Sequence, residues 1–256
     1  MKKNILKYTL IALSILAISA LTFSFGNKTS ASTSEISMID SPMIDPATAI
    51  QRERVEAAAA LASTLNLELN LQEKGLSQSA LETALQGYLR LEQQGTLKNP
   101  DLLTIVDLSQ SSRNKRFYLI DVKNNKLLVN TYVAHGKNSG LDSAYDFSNE
   151  INSEKSSLGF YVTGQTYRGK HGTSLRILGL DSGYNDNAEA RGVVVHGANY
   201  VNEGRAKSAY IGRSQGCPAL PTNNFKQVIN LIKDGSALFV YYPSTEYLQN
   251  SDVLAA

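Results

Sequence analysis

Seven short β-prone runs occupy residues 102–108, 116–122, 127–134, 158–163, 174–178, 192–196 and 238–242. Runs of this length, rich in Val, Ile, Leu, Tyr and Phe and separated by turn-forming residues, fold as strands rather than helices. Asn124-Asn125 falls between the second and third runs, and asparagine tolerates the positive φ that a tight hairpin turn requires. One helical segment interrupts the series after residue 220. Thr222 is placed to cap it, Phe225, Val228, Ile229 and Ile232 form its apolar face, and Gly235 can end it. The pattern predicts an α+β chain whose main domain, residues 101–245, is a mainly β barrel or sandwich with one helix following Cys217. Residues 46–100 form a helical extension before it. Asp45-Pro46 supplies a cap and first helical residue for a helix running to about Leu65. A second helix starts near Ser77 and carries Leu81, Leu85, Tyr88, Leu89 and Leu91 as one stripe that packs on the main domain.

The N-terminus reads as a targeting segment. Lys2, Lys3 and Lys7 precede an uncharged apolar stretch, residues 8–25, and a small polar run, residues 27–32. Cleavage after Ala31, with Thr29 and Ala31 at the two constrained positions, fits a bacterial-type secretory signal. The apolar stretch is also near the length of a membrane span, so residues 1–31 serve either as a cleaved signal or as an anchor attaching the chain to the inner membrane. Residues 32–45 are a Ser- and Thr-rich linker, and 246–256 a C-terminal tail. Residues 1–31 hold four lysines and no acids, so removing them turns a formal charge of +2 into −2. A chain without a basic surplus or a Lys/Arg block offers nothing to nucleic acid. No feature sets an oligomeric state.

Cys217 is the only cysteine, so an exported chain of this sequence cannot close an internal disulfide. The thiol lies in the glycine-flanked run Gly212-Arg213-Ser214-Gln215-Gly216-Cys217-Pro218, downstream of Val193-Val194-Val195-His196-Gly197. One thiol, one imidazole and a tight turn suggest a cysteine nucleophile activated by His196 as base. The backbone amides of Gly216 and Cys217, with the amide or hydroxyl of Ser214, are the nearest oxyanion donors, worth on the order of 3 to 4 kcal/mol each. Pro218 has no amide hydrogen and fixes the chain direction.

His196-Gly197, followed about twenty residues later by Ser214-Gln215-Gly216-Cys217, resembles the catalytic signature of L,D-transpeptidases. Ser156-Ser157-Leu158-Gly159-Phe160-Tyr161 is similar to the hydroxyl-rich, glycine-containing segment of that family. Tyr167-Arg168-Gly169-Lys170-His171-Gly172 stands where a substrate-groove segment is expected. With Val133-Ala134-His135-Gly136 included, the pattern is most similar to the divergent murein L,D-transpeptidase catalytic domain family. Two positions depart from better-known members: Gln215 replaces a histidine and Ala219 a polar residue.

The resemblance implies an exported acyltransferase acting on peptidoglycan stem peptides through a Cys217 thioester, without metal or cofactor. It implies that the Gly197 carbonyl orients the His196 ring, although Asp181, Asp186, Asn187 and Asn199 are close enough in sequence to compete for that role. Arg213 could supply a carboxylate-binding fork. Gln215, His171 and Tyr167 join it as substrate-binding candidates, and Tyr161, Tyr200 and Tyr210 could line the groove. Four alternatives accompany this reading. The same dyad could serve a carboxypeptidase or endopeptidase, or the domain could bind the wall without catalysis. His135, His171, His196 and Cys217 could hold zinc. The Asp181 to Glu189 stretch could hold calcium.

Overall fold

The computed structural model describes residues 45–170 and 172–255; the expected signal segment, most of the linker, and His171 lie outside them. Helix α1 (Pro46–Leu69) begins where Asp45 accepts from the Thr48 amide at 3.3 Å, and ends at Asn70 in the left-handed conformation. It runs four residues past Leu65. Its inner face is narrow, with only Ala58, Ala62 and Leu65 buried. Helix α2 (Gln78–Gln93) is capped by Ser77 and buries Ala80, Leu81, Ala84, Leu85, Tyr88 and Leu91. The small Ala80 and Ala84 alternate with leucines, which lets this helix lie close against the sheet.

Eight strands form one sheet: β1 (Leu102–Asp107), β2 (Phe117–Asp121), β3 (Lys126–Thr131), β4 (Gly159–Gly169), β5 (Gly172–Gly179), β6 (Val194–Ala198), β7 (Ala219–Pro221) and β8 (Ala237–Tyr241). Their order is β3-β2-β1-β8-β4-β5-β6-β7. Pairing is antiparallel except for β1 with β8 and β6 with β7. Asn125 adopts φ 49° in the β2–β3 turn, the conformation expected of it. Between the sequence-adjacent β6 and β7 lie a short helix, α3 (Glu203–Ala206), and the turn carrying Cys217.

Three differences from the sequence reading have local causes. Strand β7 is absent from the periodicity because Ala-Leu-Pro has little β character; it forms by pairing parallel with β6. Helix α4 (Phe225–Ile232) starts at Asn224 rather than Thr222, and Asn224 does not cap it because its side-chain amide donates to Thr131 Oγ1 at 3.0 Å. A second helix follows Cys217, α5 (Thr245–Asn250), within the stretch read as a tail. Its buried Tyr247 hydroxyl donates to Asp181 at 3.0 Å.

The sheet is nearly closed into a barrel by the segment after β3. Ala134 N–H donates to Ala219 O at 2.9 Å, Ser214 N–H to His135 O at 2.8 Å, and Lys137 N–H to Ser214 O at 2.8 Å. These bonds stitch the β3 edge to the β7 edge across the Cys217 turn. Arg116, fully buried, holds the stitching segment: it donates to Val133 O at 3.0 and 3.2 Å, to Gln110 O at 2.8 Å, and to His135 Nδ1 at 2.6 Å. Burial lowers its pKa to about 10, while Asp107 and Asp142 work in the other direction, so the group stays charged at neutral pH. Because Arg116 can only donate, His135 Nδ1 is the acceptor and Nε2–H donates to Gly140 O at 3.2 Å. The fold therefore takes the neutral ring, whose pKa is lowered to about 4 by burial and then by Arg116.

Two predictions follow from this packing. Gly87 lies inside α2, where alanine ordinarily stabilises by about 1 kcal/mol. A Cβ there would sit 2.1 Å from the Phe160 ring, which is stacked on Phe239 at 4.1 Å. Gly87→Ala should therefore destabilise the protein by about 1 to 3 kcal/mol, read as a lower midpoint in urea unfolding. His135, depressed from 6.5 to about 4, binds more protons unfolded than folded between those values. Stability is fully present above pH 6.5 and is lost as pH falls toward 4, by roughly 3 kcal/mol. Unfolding midpoints measured across that window should fall steeply for the wild type and with a shallower slope for His135→Gln.

Candidate active site

Strand register brings the histidine beside the turn that carries the thiol. His196 pairs with Ser174 on β5 and with Ala219 on β7, two residues beyond Cys217. Its neighbours Val195 and Leu175 join the main core, so the pleat puts His196 on the opposite face. That face is covered by a smaller apolar cluster, Ala134, Ala198, Val201, Ile211 and Ala219, flanked by Tyr132 and Tyr200. His196 is buried, and its Nδ1 lies 3.0 Å from Gly197 O. A carbonyl only accepts, so Nδ1 carries the hydrogen and Nε2 is the basic nitrogen.

Cys217 is half-buried, with Sγ 3.7 Å from Gly192 O. Burial pushes the thiol pKa up. The backbone amides of Val194 and of Cys217 itself, and the Arg191 guanidinium, oppose that rise. Arg191, which the sequence reading did not single out, is braced by Ser148 O at 2.7 Å, Lys155 O at 2.7 Å, Ser153 Oγ at 3.0 Å and the Ser157 hydroxyl. Its buried Nε has no partner among the described residues. The only sequence signal was its place directly before Gly192-Val193-Val194, at the entry to β6.

The Cys217 turn is held from within. Gly216 adopts φ 117°, and a Cβ there would meet Lys155 O at 2.7 Å, so both conformation and space demand glycine. Ser214 Oγ accepts from Gly216 N–H at 3.1 Å and donates to Cys217 O at 2.7 Å, while Ser214 N–H is given to His135. Ser214 and Gly216 therefore spend their donors on the turn. The amides facing the sulfur are those of Cys217 and Val194. Ser156 adds a brace, accepting from Gly136 N–H at 3.0 Å and donating to Gly216 O at 3.4 Å.

The remaining candidates divide. Tyr200 is half-buried beside the site, its pKa raised to about 12 by burial and then by the charge of Cys217. Tyr167 shares a cross-strand row with Ser174 and His196, 37% exposed, with Arg176 4.8 Å over its ring. Gln215 is exposed and donates to Glu154 at 3.3 Å. Arg213 donates to Lys137 O at 2.8 Å and lies 5.2 Å from the Tyr210 ring, so its fork is engaged in the stitching segment. Tyr161 is a core residue, 1% exposed, donating to Ser157 O at 3.2 Å. Asp181 is also buried, accepting from Phe160 N–H at 2.7 Å, Val253 N–H at 3.1 Å, Tyr247 and Ser251; it anchors the C-terminal segment instead of orienting His196. Both ring nitrogens of His135 are committed, and the described residues contain no group of three His, Cys, Asp or Glu placed to hold a metal. Neither the zinc nor the calcium arrangement is formed among them.

Residues 72–241, more than half of the chain, match the model of the L,D-transpeptidase catalytic domain. No curated protein matches. Among solved structures the chain is similar to an L,D-transpeptidase from Mycobacterium smegmatis, with 13% identity, 56% of this chain and 59% of that one covered, and a TM-score of 0.36. It is also similar to L,D-transpeptidase 1 of Mycobacterium tuberculosis, with 15% identity, coverage of 56% and 62%, and a TM-score of 0.33. An L,D-transpeptidase from Stackebrandtia nassauensis shows 13% identity, coverage of 74% and 93%, and a TM-score of 0.34. The chain spans about three fifths of the first two of these structures. At such TM-scores superposition carries no weight, and it is the sequence match over residues 72–241 that places this chain: it belongs to the L,D-transpeptidase catalytic domain family.

Proposed function

We propose that this chain is an exported cysteine acyltransferase that transfers peptidoglycan stem peptides through a thioester on Cys217. The observation that carries the reading is the β6–β7 register, which sets His196 beside the Cys217 turn while Gly197 O fixes the ring tautomer. The thiol proton passes to His196 Nε2 as sulfur attacks the carbonyl of the diamino acid at position three. The tetrahedral oxyanion draws on the amides that face the sulfur, those of Cys217 and Val194. Collapse breaks the carbon–nitrogen bond, and the imidazolium returns its proton to the departing D-Ala amine. A side-chain amine of a second stem then attacks the thioester, gives its proton to His196 and regenerates the thiol. Water in place of that amine gives hydrolysis by the same steps. The basic N-terminus and apolar stretch support export to the envelope, where this substrate is found. Among the described residues, no helix is long and apolar enough to cross a membrane.

Intact mass spectrometry with disaccharide tetrapeptide tests the reading. The wild type should acquire an acyl adduct and release cross-linked dimers, whereas Cys217→Ala should do neither. A folded wild type that gains no adduct would exclude this donor, and an adduct with only trimmed peptide would favour hydrolysis. The thiol also carries an electrostatic expectation. Arg191 offsets part of the burial that raises the Cys217 pKa, so Arg191→Gln should move the pH profile of iodoacetamide alkylation further upward. Alkylation at neutral pH should slow roughly fivefold, the effect of losing on the order of 1 kcal/mol from one partly screened charge. An unchanged profile in a folded variant would show that Arg191 only braces the turn.

A further inference from the structure

A cleft opens at the far end of β7 from Cys217. Its volume is about 380 Å³, within the range that takes small ligands. Asn130, Tyr132, Asn202, Thr222, Asn223 and Asn224 line it, with Lys115 and Glu203 at hand as one charge of each sign. Three features narrow the ligand. The lining is neither strongly charged nor broadly apolar, which disfavours a phosphate or an acyl chain. Amides and hydroxyls both donate and accept, as the hydroxyl and N-acetyl groups of a sugar do, and Tyr132 adds an aromatic ring of the kind pyranose C–H groups pack on, with Lys115 Nζ 6.0 Å from its centroid.

Distance along β7 connects the cleft to the chemistry. Cys217 and Pro221 are four residues apart, so at most about 13 Å of chain separates them, with only Ala219–Pro221 in strand conformation. In a stem peptide, three residues separate the glycan from the carbonyl at position three, about 10 to 11 Å when extended. We infer that this cleft is a glycan subsite, which holds the N-acetyl sugar bearing the donor stem while Cys217 attacks the peptide. The inference rests on the stem-peptide reading for its choice of sugar.

Two measurements separate the subsite from that reading. The first uses the stem-free disaccharide of N-acetylglucosamine and N-acetylmuramic acid, followed by amide shifts in the full chain. Perturbation centred on residues 130–132 and 221–224, weakened at least tenfold in Asn223→Ala and Glu203→Ala, is the expected result and needs no catalysis. Absence of shifts at millimolar sugar, or shifts that ignore both substitutions, would overturn the subsite. The second compares Cys217 acylation by disaccharide tetrapeptide and by free tetrapeptide. The sugar-bearing donor should react about tenfold more efficiently in the wild type. In the two variants, whose exposed side chains leave the fold undisturbed, that advantage should shrink to within twofold with the free-peptide rate unchanged. Equal wild-type rates, or equal losses with both donors, would refute the proposal, whereas failure of both donors to acylate Cys217 beside intact sugar binding would count against the stem-peptide reading alone.

Discussion

A guanidinium in the core organises the site without touching the thiol. Arg116 is fully buried and is offset by two backbone carbonyls, one imidazole nitrogen and the nearby carboxylates of Asp107 and Asp142. Removing one partner from such an arrangement leaves a buried charge or acceptor unsatisfied, so the arrangement is held as a unit. Its output is the position of residues 133–137. That segment in turn receives the Ser214 amide and supplies the Ala134 and Lys137 amides to β7 and the Cys217 turn. Cys217 is thus placed by a chain of hydrogen bonds that begins in the core under β2 and ends at the β6–β7 edge.

Burial and activation act against each other at the sulfur. A thiol taken out of water resists ionisation, and this one is raised accordingly. Two amides and Arg191 moderate the rise, and Gly197 O fixes the tautomer of His196, whose strand lies beside the Cys217 turn. Burial therefore favours the protonated thiol, and the nearby donors favour the thiolate. Ser214 and Gly216 contribute by geometry: their donors hold the turn, and the positive φ of Gly216 lets the backbone pass within contact of Lys155.

Much of this was legible in the chain. The main strands were readable because β-branched and aromatic runs between turn residues have few alternatives, and α2 because its apolar stripe repeats at helical spacing. Cys217 and His196 stood out because the thiol is unique and the glycine-flanked motifs are short and specific. Other assignments depended on contacts between distant segments. Arg116 was legible only as the first residue of the second β-prone run, and it turns into the core because Val133, Gln110 and His135 present acceptors there. Tyr161 and Arg213 read as groove residues and are taken up by Ser157, Lys137 and Gly140. Thr222 reads as a cap, but the helix starts at Asn224, whose side chain is claimed by Thr131.

The sequence by itself determined the kinds of element and the groups available: strand and helix periodicities are local, and a thiol, an imidazole and a glycine turn are identities rather than positions. Tertiary structure alone decided which donors face the sulfur, that Arg191 and not Arg213 supplies the nearby positive charge, and that Ala-Leu-Pro becomes a strand. Those outcomes depend on backbone amides and carbonyls, which every residue carries alike, so no spelling of side chains announces them. They are fixed only when β6, β7 and residues 133–137 meet and each buried polar group must find its partner.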